Sequence, residues 1–300
     1  MDFKRLNSLL VQNSNDTERA LIDFFASKDD GQDSLKLITD AQKYSLLGAG
    51  KRIRPFLVNE TCRMLGGDIK ASMPFASAVE MIHTYSLIHD DLPCMDDDDM
   101  RRGKASNHKV YGEAYALLAG DALLTNAFEV ASSNRLVSAE SLREAITALA
   151  LAAGDCGMIG GQIIDLEGEG KKLSFDQLLI LHSLKTGKMI EVSARLGCIA
   201  AGYSVGDPVT EKICSYAKKI GLAFQVIDDL LDVIGDEETV GKSLCSDAEN
   251  EKTTFMSYFD VDGAKKYAED ITRSAIEDIG QIENSEVLQE LALYLLERNM

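Results

Sequence analysis

From Asp90 to Asp99 the chain reads Asp90-Asp91-Leu92-Pro93-Cys94-Met95-Asp96-Asp97-Asp98-Asp99, six carboxylates within ten residues, with Arg101-Arg102 just beyond. Carboxylates packed this closely repel one another unless cations lie between them. Hard divalent ions do this, and Mg2+ typically takes one or two carboxylates plus the phosphates of a substrate. A second group, Asp228-Asp229-Leu230-Leu231-Asp232, puts Asp228 and Asp232 four apart, on one face of a helix. Like charges at that spacing cost a helix a few tenths of a kcal/mol and return nothing structural. Lys51, Arg54, Arg101, Arg102, Lys185, Lys242 and Lys252 fall beside these groups or beside glycine-containing turns. Arginine grips phosphate through paired N–H donors, whereas lysine acts as a point charge. An aspartate run is most often a solvated loop, and a single lysine a surface charge. Two acidic groups, each set in apolar helix and flanked by cations, point instead to metal-assisted handling of a phosphorylated substrate.

Helices must carry these groups. Nearly every segment repeats its apolar residues at helical spacing, and no alternating strand stands out. The pattern predicts helices over 3–12, 16–27, 34–47, 55–65 and 71–91, the last largely apolar and leading into the first aspartates. Pro93 disfavours helix for the residue before it and has no N–H to give. The chain should therefore leave the helix near Leu92 and fold back, bringing Asp96 toward Asp90. Further helices are predicted over 111–134, 139–166, 174–201, 208–235, 263–280 and 285–298. Ser174 and Gln177 form a capping-box pattern, and Pro208 stands at a first helical position. The fold class expected is all-α: one domain spanning 1–300, a bundle of long helices around a central cavity.

The 300 residues and 45% hydrophobic content suffice for a large core. A formal net charge of −18 argues against nucleic acid or an anionic membrane surface as partner. Cys62, Cys94, Cys156, Cys198, Cys214 and Cys245 form no Cys-x-x-Cys pair, which suits reduced thiols in a cytoplasmic protein. The N-terminus lacks the apolar core of a signal peptide, and no apolar run is expected to span a bilayer. Di-iron bundles use two Glu-x-x-His motifs. Glu80-Met81-Ile82-His83 is one, but His89, His108 and His182 lack the glutamate three residues earlier. No Gly-x-Ser-x-Gly or other nucleophile motif is present.

With both acidic groups in hand, the sequence resembles the trans-isoprenyl diphosphate synthases, and among them the bacterial farnesyl diphosphate synthases. The resemblance runs from about residue 40 to the end. It rests on Asp90-Asp91 with Asp96, on Asp228-Asp229 with Asp232, and on Gly50-Lys51-Arg52-Ile53-Arg54-Pro55, His83, Arg101-Arg102, Lys185-Thr186 and Phe224-Gln225. It implies that Asp90, Asp96, Asp228 and Asp232 hold several Mg2+ ions, with Mn2+ as a substitute, and that Asp91 and Asp229 lie close by. It implies that the metals, Arg101, Lys185 and Lys252 grip an allylic diphosphate, with Lys242 also binding substrate. Gly50, Lys51, Arg54, His83 and Arg102 would hold isopentenyl diphosphate, and Thr186 and Gln225 would face the developing carbocation. A homodimer is implied as well. One departure stands out: where the family usually has Gly-Lys-x-x-Gly-x-Asp, this chain reads Gly241-Lys242-Ser243-Leu244-Cys245-Ser246-Asp247. Cysteine adopts a left-handed backbone less easily than glycine. The polar stretch 236–252 is expected to close over bound diphosphates.

Tyr85 and Ser86 precede Asp90 by five and four positions, roughly 6–7.5 Å back along the helix. That is the path of a growing chain. By the resemblance, in which farnesyl synthases carry an aromatic and a small residue here, the small Ser86 should admit a ten-carbon tail and the bulky Tyr85 stop growth, giving farnesyl diphosphate. Geranyl or geranylgeranyl diphosphate synthesis is the alternative. A terpene cyclase would lack the second aspartate motif and the Lys51/Arg54 turn, and a non-catalytic partner subunit would have lost the aspartates.

Overall fold

The computed structural model describes residues 3–28, 33–48, 50–234 and 252–297, except the side chains of residues 33 and 34. Among them the chain is almost wholly helical: α1 Lys4–Ala26, α2 Asp33–Leu46, α3 Ile53–Met64, α4 Ile69–Asp90, α5 Asn107–Tyr111, α6 Glu113–Ser132, α7 Ala139–Ala153, α8 Met158–Gly168, α9 Phe175–His182, α10 Lys188–Ala200, α11 Pro208–Ile234, α12 Val261–Ile279 and α13 Glu286–Glu297. A hairpin of two-residue strands, β1 Met100–Arg101 with β2 Lys104–Ala105, was not predicted by the helical pattern, and neither were the short α5 and a 3-10 turn at Phe255–Ser257.

Helix α4 is the axis. The Asp68 carboxylate caps it by accepting the Lys70 N–H. Phe75, Val79, Met81, Ile82, Tyr85 and Ile88 are all buried, on several sides of the helix. A helix apolar all round is a core helix, and α3, α6 and α10 pack around this one. Helix α11 lies against α10 and α12, with Tyr216 and Ile220 in one apolar cluster and Val226, Ile227 and Leu230 in another.

Several predicted boundaries shift. The two helices expected over 3–12 and 16–27 are one, α1, because Asn13 does not break it: its side-chain oxygen is buried and accepts the Asn59 amide at 2.8 Å. The helix expected over 111–134 is interrupted at Gly112, whose φ of +86° no helix contains. The stretch 139–166 breaks at 154–157, and 174–201 carries a π-helical turn, Ser183–Gly187. Single π turns inside α-helices occur frequently at functional sites. By length and composition Ala139–Gly168 does qualify as a membrane span, with a mean hydropathy of 1.3, contrary to expectation. Yet it is two helices, and α7 packs against α10 in the bundle.

Two glycines permit close approaches of one backbone to another. A Cβ on Gly161 would lie 2.2 Å from the Lys185 nitrogen, so α8 can press against the π turn only without one. A Cβ on Gly197 would lie 2.4 Å from the Val58 carbonyl oxygen, in backbone that cannot swing aside. Gly197→Ala should therefore push α10 off α3 and destabilise the chain by about 1–3 kcal/mol. The check is the urea unfolding midpoint, which should fall without a change of slope.

Candidate active site

One cavity of about 650 Å3 opens between α3, α4, α9–α11 and the segment from Lys252. Gly50, Lys51, Arg54, His83, Asp90, Asp96, Arg101, Arg102, Lys185, Thr186, Gln225, Asp228 and Lys252 all line it. Residues from five separate stretches thus meet in one place. Asp232, one helical turn beyond Asp228, is not part of the described wall, and neither are Tyr85 and Ser86. Lys242, Cys245 and the stretch 236–251 lie outside the described residues.

The acidic wall begins where α4 ends. The Asp96 N–H donates to the Asp90 carbonyl at 2.9 Å, and the Asp97 N–H to the Leu92 carbonyl at 3.2 Å. The fold-back expected from Pro93 is therefore present, and it is closed by backbone hydrogen bonds. Asp91 turns the other way, into the protein. It is buried and accepts from Arg101 Nε at 2.8 Å, while Arg101 Nη2 reaches Asp98 at 2.8 Å. Burial alone would lower the Arg101 pKa, but the hydrogen bond and charge of Asp91 outweigh it and raise it. Asp228 faces the cavity from α11. Lys252 Nζ bridges the walls, 3.5 Å from Asp96 and 3.6 Å from Asp165. Asp165 also takes Lys185 Nζ at 2.6 Å, and these cations overcome burial to hold its pKa below the ordinary value. The π turn just before α10 aims Lys185 and Thr186 inward.

Burial pushes the Asp90 carboxyl up to about 6; Lys185 opposes the rise and Asp96 adds to it. The folded chain therefore binds more protons than the unfolded chain between the ordinary carboxyl pKa and about 6. This group's contribution to stability is present at low pH and is lost as pH rises through that window. A cation seated on ionised Asp90 would reverse that loss. Oxygen donors of this kind, short of counter-charge, fit a hard divalent ion. Cation binding near pH 6 should then release protons. Calorimetry in two buffers of different ionisation enthalpy should show heats that differ accordingly; equal heats would remove Asp90 from the cation site.

The opposite wall is basic. Arg52, at φ +48° just before α3, turns inward. Its guanidinium pairs with Glu80 on α4 and donates to the Leu46 and Gly48 carbonyls, the latter at 3.1 Å. Both side chains of this pair are only 2% exposed. The turn so fixed carries Lys51, whose Nζ lies 4.8 Å from the Tyr294 ring centre, and Arg54, whose buried Nε has no hydrogen-bond partner. Burial lowers the Arg54 pKa to about 10, against the pull of Glu80, and Arg102 lowers it further. Arg102 Nη2 stands 3.3 Å from His83 Nε2, and its guanidinium lies over Gly50, where a Cβ would meet Nη1 at 3.0 Å. His83 is held well below its ordinary pKa by burial and by Arg54 and Arg102, so it is neutral. An orphaned buried donor and several cations sharing one buried carboxylate suit an anion.

Sequence reasoning missed four parts of this site. Arg52 and Glu80 were visible only as members of motifs, and nothing along the chain pairs residues 28 apart. Asp165 follows Gly160-Gly161, but with Glu167 and Glu169 after it the stretch reads as an ordinary polar helix end. His182 also lines the cavity, neutral and stacked on Phe255 with ring centres 5.0 Å apart, its pKa lowered to about 4 mainly by burial. Outside the cavity, donor atoms of Asp97, Asp99 and His108 lie within 4.8 Å of one another, although Asp99 is already paired with Lys109 at 2.6 Å.

This cavity, with carboxylates facing guanidiniums inside an all-helical bundle, has close counterparts. Residues 35–293 match the polyprenyl synthetase family model. The chain belongs to the polyprenyl synthetase family. It is 49% identical over 229 residues to the farnesyl diphosphate synthase of Geobacillus stearothermophilus, covering 75% of this chain and 76% of that one. It is 43% identical over 265 residues to the geranylgeranyl diphosphate synthase of Cyanophora paradoxa, covering 87% and 88%. The crystal structure of an FPP/GFPP synthase from Zymomonas mobilis superposes with a TM-score of 0.85 at 34% identity, covering 97% of this chain and 99% of that one.

Glu80→Gln should leave Arg52 buried beside a neutral amide and remove the counter-charge of Arg54 and Arg102. Breaking a buried pair from one side typically costs about 3–5 kcal/mol. A large drop in unfolding free energy is expected; a loss under about 1 kcal/mol, of the size seen for exposed pairs, would mean that the pair is solvated.

Proposed function

We propose that the protein is a Mg2+-dependent prenyltransferase that joins dimethylallyl and then geranyl diphosphate to isopentenyl diphosphate, yielding farnesyl diphosphate. The observation that carries this reading is the placing of an acidic wall and a basic wall on one cavity. Such a cavity suits two diphosphates: one bridged to carboxylates by metal, the other held directly by guanidiniums. Asp90, Asp96, Asp228 and Asp232 hold the ions in this reading, which when bound withdraw electrons from the allylic diphosphate. Arg101, Lys185 and Lys252 add positive charge to the same leaving group. Lys51, Arg54, His83 and Arg102 hold isopentenyl diphosphate, with Gly50 leaving room for Arg102.

The allylic C–O bond breaks and its electron pair leaves with diphosphate. The double bond of isopentenyl diphosphate supplies the pair for the new C–C bond, and the resulting cation loses a proton to the departed diphosphate. Thr186 and Gln225, both on the cavity wall, would face the cation with their oxygen dipoles, a preorganised stabilisation. The chain works as one domain, in the cytoplasm, with its thiols reduced; all five described cysteines are free. It pairs as a homodimer, a reading supported by Tyr115, Leu117 and Leu118 on α6 and Ile159 and Ile163 on α8, which are large, apolar and exposed.

Chain length in this reading depends on α4. Tyr85 is buried, its ring edge-on to His89 at 5.6 Å, and its hydroxyl has no hydrogen-bond partner. Ser86 is small and donates to the His83 carbonyl at 3.0 Å. Incubation with dimethylallyl and isopentenyl diphosphates plus Mg2+ should give farnesyl diphosphate, and EDTA should abolish turnover. Asp90→Ala or Asp228→Ala should remove most activity from a folded chain. Ser86→Phe should shift the product toward geranyl diphosphate, and Tyr85→Ala beyond farnesyl. Geranylgeranyl diphosphate from the unaltered chain would favour the longer-chain reading, and full activity in EDTA would end the metal-dependent one.

A further inference from the structure

In the second acidic motif the three aspartates do not point the same way. Asp228 and Asp232 share a face, but Asp229 is turned about 100° from Asp228. Both line the cavity, but Asp228 is exposed, whereas Asp229 is 6% exposed and lies at the cavity's edge, where α11 meets the segment that begins at Lys252. There its Oδ2 accepts the backbone N–H of Phe255 at 2.8 Å. Phe255 opens a single 3-10 turn, Phe255–Ser257, and is wholly buried. N–H groups at the start of such a turn have no partner within it, and a side-chain oxygen can accept from one.

The same short segment is tied down on every side. The Thr253 hydroxyl donates to the Lys171 carbonyl at 3.2 Å and accepts the Leu173 N–H at 3.1 Å, joining it to the loop before α9. The Phe255 ring stacks on His182, three residues before Lys185. At its leading end Lys252 reaches Asp96 and Asp165 across the cavity. Lys252–Ser257 is thus a strap across the cavity; Phe255 packs with Val226, Ile227 and Leu230 of α11, and Asp229 adds a hydrogen bond from that helix.

We propose that Asp229 is a positioning residue: its carboxylate fastens the Lys252–Ser257 strap to α11, and so holds the Lys252 ammonium over Asp96 and Asp165. One aspartate of the motif then serves the cation opposite it rather than a metal. The consequence for allylic diphosphate rests on the function proposed above; the fastening itself does not.

The test uses the full chain as unaltered protein, Asp229→Asn and Asp229→Ala, without metal for amide exchange and with Mg2+ for kinetics. Asparagine keeps an oxygen that can accept the Phe255 N–H but loses the charge; alanine loses both. In Asp229→Ala, exchange at residues 253–258 should quicken roughly tenfold or more, as expected when a buried donor loses its partner, while the remaining helices keep their protection. Its KM for the allylic diphosphate should rise by a similar factor and that for isopentenyl diphosphate stay nearly constant. Asp229→Asn should recover most of both effects, and Lys252→Ala should reproduce the KM split while the strap stays protected. Unchanged exchange in Asp229→Ala, or exchange raised throughout the chain, would overturn the proposal. Equal impairment of the asparagine and alanine variants would do so too, because it would show that charge rather than the acceptor matters. Failure of the unaltered chain to turn over the two diphosphates would remove the prenyl-transfer reading, and exchange alone would then decide the strap.

Discussion

Unlike charges held apart around a cavity are the constraint on which this structure turns. A folded chain ordinarily lets carboxylates and guanidiniums find one another, because an isolated buried charge is costly. Here one set is gathered at the end of α4 and along α11, the other at the turn before α3, and the bundle keeps them facing across open space. Each set has a few internal partners. Arg101 secures Asp91, Lys185 and Lys252 share Asp165, and Arg52 pairs with Glu80. These pairs make the site foldable without ligand, and they leave Asp90 short of counter-charge and Arg54 with an unused donor.

Rigidity is what keeps the sets apart. Helix α4 is buried along most of its length, so its last residue cannot drift; the chain then reverses through the Asp96 to Asp90 backbone bond. The π turn performs a similar task on the other side, redirecting Lys185 and Thr186 into the cavity between two regular helices. Glycine at Gly161 lets α8 come close enough to brace the π turn, and glycine at Gly197 lets α10 lie close against α3. Preorganised charge of this kind is worth more in a confined site than in water, since little rearrangement is needed when charge develops.

A good deal of this was legible along the chain. Helical periodicity gave the all-α class and the position of most helices, since burial of one face imposes a period that sequence carries directly. Pro93 announced the end of α4 because its restriction is local and steric. Asp90, Asp96 and Asp228 could be picked out because carboxylates in apolar helix have few structural uses, and the basic turn at Lys51 and Arg54 because its glycine and cations are contiguous. The breaks at Gly112 and at 154–157 were missed, as apolar periodicity runs on across a short interruption.

What the sequence alone determined is therefore the inventory: which helices exist, which of them carry charge in apolar surroundings, and what ligand chemistry those charges suit. Only the tertiary structure decided the pairings. Arg52 with Glu80, Lys185 with Asp165, and Asp229 with the Phe255 amide join residues 28, 20 and 26 positions apart. No periodicity or local steric rule links such distant positions; they meet because packed helices fix where each side chain can reach. The direction of each aspartate in the second motif was settled the same way. Identical side chains a single residue apart came to differ, one open on the cavity wall and the other buried at its edge against the Phe255 amide, and the packing of α11 against its neighbours made that difference.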